Sequence, residues 1–318
     1  MQESNRISTI WERFITHFPA FLYLGIMGKI LFLDAGNTRV KAAVLETGAK
    51  DSVQADRDGL RSANDDRQQS GKEPAKTGRD ELAARPRHWN MQTLPGYDDP
   101  DFESALNKHA ARCTRVLLST VKKTFQKNEL ARILSGSGLP STPEIHAVTR
   151  SVLTPERHRY RTPETLGIDR YLACLGAWSL APGAVIVSDA GTACTIDAMD
   201  AGGVYRGGVI MPGLRMMIDV LGHGADGLFT VPPGLPENWP PDTTTAALQA
   251  GTTGTFLSGW LAHVDRMRQI FPDARIWLTG GDAAFLAENS SLNVFQSDLL
   301  VFEGMWHWYE VMCGSFRK

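Results

Sequence analysis

The chain has few cysteines, and none lies close to another in the sequence. There is no C-x-x-C pair and no group of Cys and His residues at zinc spacing among Cys113, Cys174, Cys194 and Cys313. This pattern indicates neither a zinc-binding module nor a disulfide framework. It is typical of reduced thiols in a cytosolic protein.

The chain also lacks an excess of one charge and a long apolar run. Its 33 Lys and Arg residues nearly balance 35 Asp and Glu residues, which gives a net charge of -2. We therefore expect no nucleic-acid partner. The most apolar early stretch, 14–33, is interrupted by Pro19, two glycines and Lys29, so it fits neither a membrane-spanning helix nor a secretory signal. We predict a cytoplasmic protein without a membrane partner.

Apolar and aromatic residues are scarce in residues 50–87, which predicts a polar surface loop or disordered insertion. The whole chain has 318 residues, of which 42% are hydrophobic. Because single cores seldom grow beyond roughly 250 residues, this length favours two domains. Met27 stands directly before the first strand-like run, so we expect residues 1–27 to be an N-terminal extension outside the fold, with Met27 as an alternative start.

A strand-length apolar run followed by Asp-Ala-Gly occurs twice. Residues 30–33 lead into Asp34-Ala-Gly-Asn-Thr, and residues 184–187 lead into Asp189-Ala-Gly-Thr. A second strand-like segment follows each turn. Asp-Ala-Gly alone is a common tripeptide, but the matching strands and the Thr after each glycine favour a duplicated domain.

Three further segments have recognisable patterns. Residues 116–119 predict a buried strand that leads into a helix at about 123–134, and residues 166–180 have apolar positions at helical spacing. The aromatic segment 305–309 fits a helix packed on the core, although a dimer face is the alternative.

Paired Asp-x-Gly turns can bind a polyphosphate. Glycine lets backbone N–H groups approach an anion, Thr hydroxyls add donors, and the aspartate can hold a hydrated metal ion. Each turn alone is also what an ordinary hairpin contains. The pair predicts phosphate contacts at Gly36, Thr38, Gly191 and Thr192.

Five motifs together resemble the type III pantothenate kinases. They are DAGNTRVK at 34–41, Y-x-x-P-E-x-L-G-x-D-R at 160–170, DAGTACT at 189–195, GGVIMPGL at 207–214 and LTGGDA at 278–283. The resemblance covers about residues 28–318. It implies an α/β fold of two ribonuclease H-like domains, duplicated as in the actin-like ATPases, around an ATP cleft. The implied domains are 28–183, which carries the insertion 50–87, and 184–318.

The resemblance also implies roles for individual residues. The general base would be Asp169. Pantothenate would be bound by Tyr160, Gly167, Ile168, Asp169, Arg170 and Thr244, with Thr243 and Thr245 as rivals to Thr244. Asp189 would bind a monovalent cation, and Asp34 would lie on the magnesium side. ATP would be bound by Asp34, Ala35, Gly36, Asn37, Thr38, Arg39, Val40, Lys41 and Thr192.

The implied reaction is phosphorylation of pantothenate by ATP, with magnesium and with potassium or ammonium, in a homodimer. Segment 222–229 departs from the family's Thr-Ala-x-Leu-Pro pattern near the acceptor pocket. A kinase for another small alcohol is therefore one alternative. The other is a regulatory protein on the same fold, because some family members were described as Bvg accessory factors.

Overall fold

The structure is a computed structural model that describes residues 28–47, 87–139 and 141–315. The expectations for the extension 1–27 and for nearly all of the insertion 50–87 lie outside the described residues. No helix in the part that is described is both long and apolar enough to cross a bilayer.

The first sheet has the order β3-β2-β1-β4-β5. Its strand β2 runs antiparallel to its neighbours, and β1, β4 and β5 are parallel. The strands are β1 (Gly28–Ala35), β2 (Val40–Thr47), β3 (Trp89–Thr93), β4 (Cys113–Thr120) and β5 (Glu144–Val148), with helices α1 (Phe102–Ala110) and α2 (Lys127–Ser135).

The second sheet repeats this topology, with the order β10-β9-β6-β7-β8. Its strand β7 is antiparallel to β6 and β8, and β6, β9 and β10 are parallel. The strands are β6 (Val185–Ala190), β7 (Ala193–Met199), β8 (Tyr205–Pro212), β9 (Arg275–Thr279) and β10 (Val294–Gln296). The repeated strand order bears out the duplication predicted from the twin motifs and the two ribonuclease H-like units implied by the family resemblance.

The remaining helices complete the layers around the two sheets. Helix α3 (Ile168–Leu180) joins the two halves, and α8 (Leu300–Ser315) ends the described chain. The others are α4 (Leu214–Gly224), α5 (Thr244–Gln249), a π-helical turn (Ala250–Gly254), α6 (Thr255–Ile270) and α7 (Ala283–Glu288).

Strand β1 shows why its sequence is a continuous apolar run. Ile30 and Phe32 face a core shared with α3 and α8, whereas Leu31 and Leu33 face a core with α1 and α2. A sheet covered on both faces needs apolar residues at successive positions instead of an alternating pattern.

Helix α2 begins at Lys127, four residues later than predicted. The Thr120 hydroxyl donates to the carbonyl of Phe125 at 2.9 Å, and the amide of Lys122 donates to that hydroxyl at 3.1 Å. These side-chain bonds stabilise a turn over residues 120–126, which competes with helix formation there.

Helices α3 and α8 form a layer between the two sheets. The core around them takes Phe32 and Leu117 from the first sheet and Val187 and Trp277 from the second. Within the aromatic segment 305–309, Trp306 is 2% exposed, which confirms that this segment packs on the core.

Helix α8 is attached to the first sheet, although it follows the second in sequence. Its Glu303 is buried and accepts hydrogen bonds from Arg87 Nη1 at 2.5 Å and from Trp89 Nε1 at 2.6 Å. The Trp89 ring packs edge-on against Phe32, with 4.9 Å between ring centroids. The last helix therefore connects the two halves.

Helices α3 and α8 touch through their backbones at two glycines. A Cβ at Gly176 would overlap the carbonyl oxygen of Leu300, and a Cβ at Gly304 would overlap that of Leu172. A backbone carbonyl cannot rotate away as a side chain can, so any larger residue forces the helices apart.

We expect Gly176→Ala to destabilise the protein by about 3 kcal/mol, the upper end for overpacking in a core. Gly259→Ala in α6 is the matched control, because its Cβ would meet only the Met211 methyl at an ordinary 3.6 Å. Urea denaturation followed by circular dichroism measures both. Equal stability of the two variants would contradict the proposed backbone contact.

Candidate active site

The two Asp-Ala-Gly turns meet in the structure. In the first turn the amide of Gly36 donates to the carbonyl of Arg39 at 3.0 Å, and in the second the amide of Gly191 donates to that of Ala193 at 3.1 Å. The hydroxyl oxygens of Thr38 and Thr192 are 3.1 Å apart, and both side chains are exposed. Hydroxyl donors from both halves therefore lie side by side.

Two glycines allow other segments to pack against the second turn. A Cβ at Gly213 would overlap the carbonyl of Gly191. Gly280 has a φ of +92°, and its Cβ would lie 2.6 Å from Oδ1 of Asp189. Gly213 lies in the motif at 207–214 and Gly280 in the motif at 278–283, but neither glycine was predicted to have a role of its own.

Three carboxylates from separate segments share one electrostatic environment. Burial and the nearby charge of Asp169 raise the pKa of Asp34 to about 7, with Asp189 adding to the rise and Lys41 opposing it. Burial raises the pKa of Asp189 to about 6. The charge of Lys41 lowers this pKa, and the charge of Asp169 raises it further. Burial also raises the pKa of Asp169 above its usual range. The structure thus brings together Asp34, Lys41, Asp169 and Asp189.

This group carries more negative than positive charge, and its oxygen ligands suit a hard cation such as magnesium. No three Asp, Glu, His or Cys side chains among the described residues are arranged to hold a metal ion by themselves. Magnesium in phosphotransferases is usually held by one or two carboxylates together with substrate phosphates and water. The residues therefore fit a magnesium ion that arrives with a nucleotide.

Arg170 makes a buried ion pair that the sequence analysis missed. Its Nη2 donates to Oδ1 of Asp197 at 2.6 Å and its Nε to Oδ2 at 3.1 Å, while the Tyr205 hydroxyl donates to Oδ1 at 2.7 Å. Asp197 is 2% exposed and Arg170 is 8% exposed. The available signal was a lone carboxylate between Ile196 and Ala198 in an apolar strand.

Asp169 lies at the start of α3, and its carboxylate accepts a hydrogen bond from the Arg170 amide at 2.9 Å. A Cβ at Gly167 would come within 2.5 Å of Oδ1 of Asp169, so glycine leaves room for this carboxylate. Tyr160 is half-buried, and its ring centroid is 6.1 Å from that of Tyr205. These residues form one group around the start of α3.

Four other predicted site residues fall into two sets. Ala35, Val40 and Ile168 have side chains buried in the core, so they could contact a ligand only through their backbones. Thr244 is exposed at the start of α5, and no hydrogen bond joins it to Asp169 or Tyr160 within the described residues. The rival Thr243 caps this helix by accepting a hydrogen bond from the Ala246 amide at 3.2 Å.

The duplicated sheets and the paired turns have the topology of the actin-like fold of two ribonuclease H-like units. The sequence profile of a family described as "Type III pantothenate kinase" matches residues 79–268. The matched segment includes Asp169 and the second turn but not the first turn. The chain belongs to the type III pantothenate kinase family.

Individual relatives agree with the profile. The type III pantothenate kinase of Laribacter hongkongensis is 29% identical over 288 residues, which cover 89% of this chain and 100% of that protein. That of Alkalilimnicola ehrlichii is 34% identical over 201 residues, 61% of this chain and 78% of that protein. That of Flavobacterium johnsoniae is 33% identical over 167 residues, 52% of this chain and 68% of that protein.

We expect Asp197→Ala to destabilise the protein by about 3–5 kcal/mol, because it leaves the buried Arg170 guanidinium without its carboxylate. Asp265→Ala removes an exposed pair with Arg268 on α6 and should change stability by less than about 1 kcal/mol. Chemical denaturation of both variants tests this difference. If Asp197→Ala lowers the free energy of unfolding as little as Asp265→Ala does, the Arg170–Asp197 pair contributes little to stability.

Proposed function

We propose that this chain transfers the γ-phosphoryl group of ATP to the primary hydroxyl of pantothenate. The product is 4'-phosphopantothenate, and the reaction is the first step of coenzyme A biosynthesis. The observation that carries the proposal is that Asp169 shares an electrostatic environment with the aspartates of both phosphate turns. This arrangement would give the acceptor hydroxyl a nearby base and would give the transferred phosphoryl group hydrogen-bond donors from both turns.

The first turn would bind ATP through backbone N–H groups at 35–40, the Thr38 hydroxyl and the Lys41 ammonium. The Thr192 hydroxyl would contact the same phosphates from the second half. Phosphoryl transfer depends mainly on positioning and on neutralising charge, so these groups can supply most of the catalysis. When bound, magnesium would neutralise the phosphate oxygens from the Asp34 side.

Asp169 would act as the general base toward the pantothenate hydroxyl. Its pKa is raised by burial, while the Arg170 amide acts in the opposite direction, so it is a stronger base than an exposed aspartate. Tyr160, Gly167, Ile168 and Thr244 would line the acceptor site. Because the Arg170 guanidinium is bound to Asp197, we expect the main role of Arg170 to be holding the start of α3 in place.

Asp189 would hold a monovalent cation such as potassium or ammonium. Its carboxylate is half-buried, and its pKa is raised to about 6 in this environment, so a bound cation would relieve unfavourable charge. Cytoplasmic localisation is part of the same proposal. Three buried cysteines that form no disulfide support it: Cys113, Cys174 and Cys194.

The first experiment is ADP release by the purified protein with ATP, magnesium and pantothenate, in potassium or in sodium. We expect pantothenate-dependent turnover that is faster in potassium. Asp169→Asn should lower kcat by about 10²–10⁴, the usual contribution of a general base. Asp265→Asn, an exposed aspartate on α6, is the control and should keep full activity.

The pH dependence gives a second readout of the same residue. The base must be ionised, so kcat/KM should rise with pH through the pKa of Asp169, at a pH above the ordinary aspartate value of 3.8. If the protein binds ATP but never turns over with pantothenate, another acceptor alcohol becomes the better interpretation. Absence of ATP binding would favour the regulatory alternative.

We also propose that the chain forms a homodimer through the face around α4. Of the eight large apolar side chains that are exposed in the described residues, six lie between positions 210 and 239. Such a concentration is typical of a surface that is covered in an assembly. The six are Ile210, Met216, Val220, Phe229, Leu235 and Trp239.

Sedimentation equilibrium tests the dimer. We expect a dimer mass for the unaltered chain and a shift toward monomer for Val220→Glu, because the added charge would be buried at the interface. Ile270→Glu changes a similarly exposed apolar residue, 65% against 67% exposed, at the end of α6 and should leave the mass unchanged. A monomer mass for the unaltered chain would refute the dimer.

A further inference from the structure

Lys122 lies at the first phosphate turn, although it belongs to the connection between β4 and α2. The amide of Val121 donates to the carbonyl of Ala35 at 3.1 Å, which attaches this connection to the end of β1. The Lys122 ammonium is 3.4 Å from the carbonyl oxygen of Asn37, at the tip of the turn. It also lies 4.0 Å from the ring centroid of Tyr97.

The contacts of Lys122 leave its charge without an anionic partner. No carboxylate of the described residues is within 4.0 Å of its ammonium nitrogen, whereas Lys29 on the same sheet pairs with Glu46. Tyr97 supplies only the face of its ring, and its hydroxyl donates to the carbonyl of Gly36 at 2.9 Å. Burial, with the charge of Asp34, raises the pKa of Tyr97, so this phenol remains neutral.

The position of Lys122 is preorganised by the turn that precedes α2. Its amide is bound to the Thr120 hydroxyl at 3.1 Å, and its carbonyl accepts a hydrogen bond from Gln126 Nε2 at 2.6 Å. The side chain is half-buried. A cation held in this way loses little conformational freedom when an anion binds beside it.

We propose that Lys122 binds the polyphosphate of the nucleotide, as a second cation beside Lys41. Lys41 approaches from β2 and Lys122 from the β4–α2 connection, so the two would neutralise phosphate oxygens on different sides of the first turn. The inference rests on the proposed function only in that this site binds ATP. It does not depend on the identity of the acceptor.

The competing interpretation is that Lys122 only stabilises Tyr97 and the turn. The two interpretations differ in what they imply for different nucleotides. A phosphate-binding lysine affects ATP and ADP much more than AMP, because AMP lacks the β- and γ-phosphates. A lysine that only supports the turn affects the nucleotides alike or not at all.

The experiment measures the dissociation constants of ATP, ADP and AMP by titration calorimetry for Lys122→Met, Lys122→Arg and the unaltered chain. We expect Lys122→Met to weaken ATP binding by about 10- to 100-fold, as for loss of a hydrogen bond to a charged group. AMP binding should change less than about twofold, and Lys122→Arg should restore most of the ATP affinity. Lys123→Met, the exposed neighbour, is the matched control and should bind ATP as the unaltered chain does.

Several outcomes would overturn the inference. They are unchanged ATP affinity in Lys122→Met, an equal loss for AMP and ATP, an equal loss in Lys123→Met, or absence of ATP binding by the unaltered chain. Selective loss of ATP affinity in Lys122→Met, together with no pantothenate turnover by the unaltered chain, would support phosphate binding by Lys122 and would refute pantothenate as the acceptor. Normal pantothenate turnover with unchanged ATP affinity in Lys122→Met would refute phosphate binding by Lys122 and leave the proposed kinase activity standing.

Discussion

The backbone contact between α3 and α8 determines the geometry of the whole site. At Gly176 and Gly304 the two helices touch without intervening side chains, and both also pack on the two sheets. Asp169 lies in the first turn of α3, so the position of this helix sets the distance from Asp169 to the turns after β1 and β6. A change of one methyl group at the crossing would therefore move a carboxylate relative to both Asp-Ala-Gly turns.

The same geometry brings together charges that repel one another. The charges of Asp169 and Asp189 raise the pKa of Asp34, and the charge of Asp169 also raises the pKa of Asp189, while Lys41 offsets only part of this repulsion. The Arg170–Asp197 pair is neutral as a unit, so it can stabilise the start of α3 without adding net charge. Local repulsion of this kind is expected where a site is built to receive cations, because a bound cation then relieves it.

The sequence predicted the parts of the fold that are encoded locally. The twin Asp-Ala-Gly turns, strand β4 and helix α3 each have a continuous pattern, and the repeated strand order agrees with them. The return of α8 onto the first sheet was not predictable, because it depends on contacts such as that between Arg87 and Glu303, which are far apart in sequence. The burial of Asp197 was missed for the same reason: its partner Arg170 lies on another element. Lys122 falls in the short connection between the strand predicted at 116–119 and the helix predicted at about 123–134, where no local pattern indicated a role.

Strand register shows how the two halves differ. An ungapped alignment of the two motifs places Lys41 beside Ile196, but in the sheets Asp34 pairs with Lys41 and Asp189 pairs with Thr195. The second turn is therefore one residue shorter. With this correction, Asp197 pairs with Val187 as Ala43 pairs with Phe32, so Asp197 points into the layer that contains α3. The first copy thus has Lys41 next to its aspartate, and the second has a buried carboxylate, Asp197, that binds Arg170. One difference in turn length and a few different side chains therefore give two halves of the same topology different local chemistry.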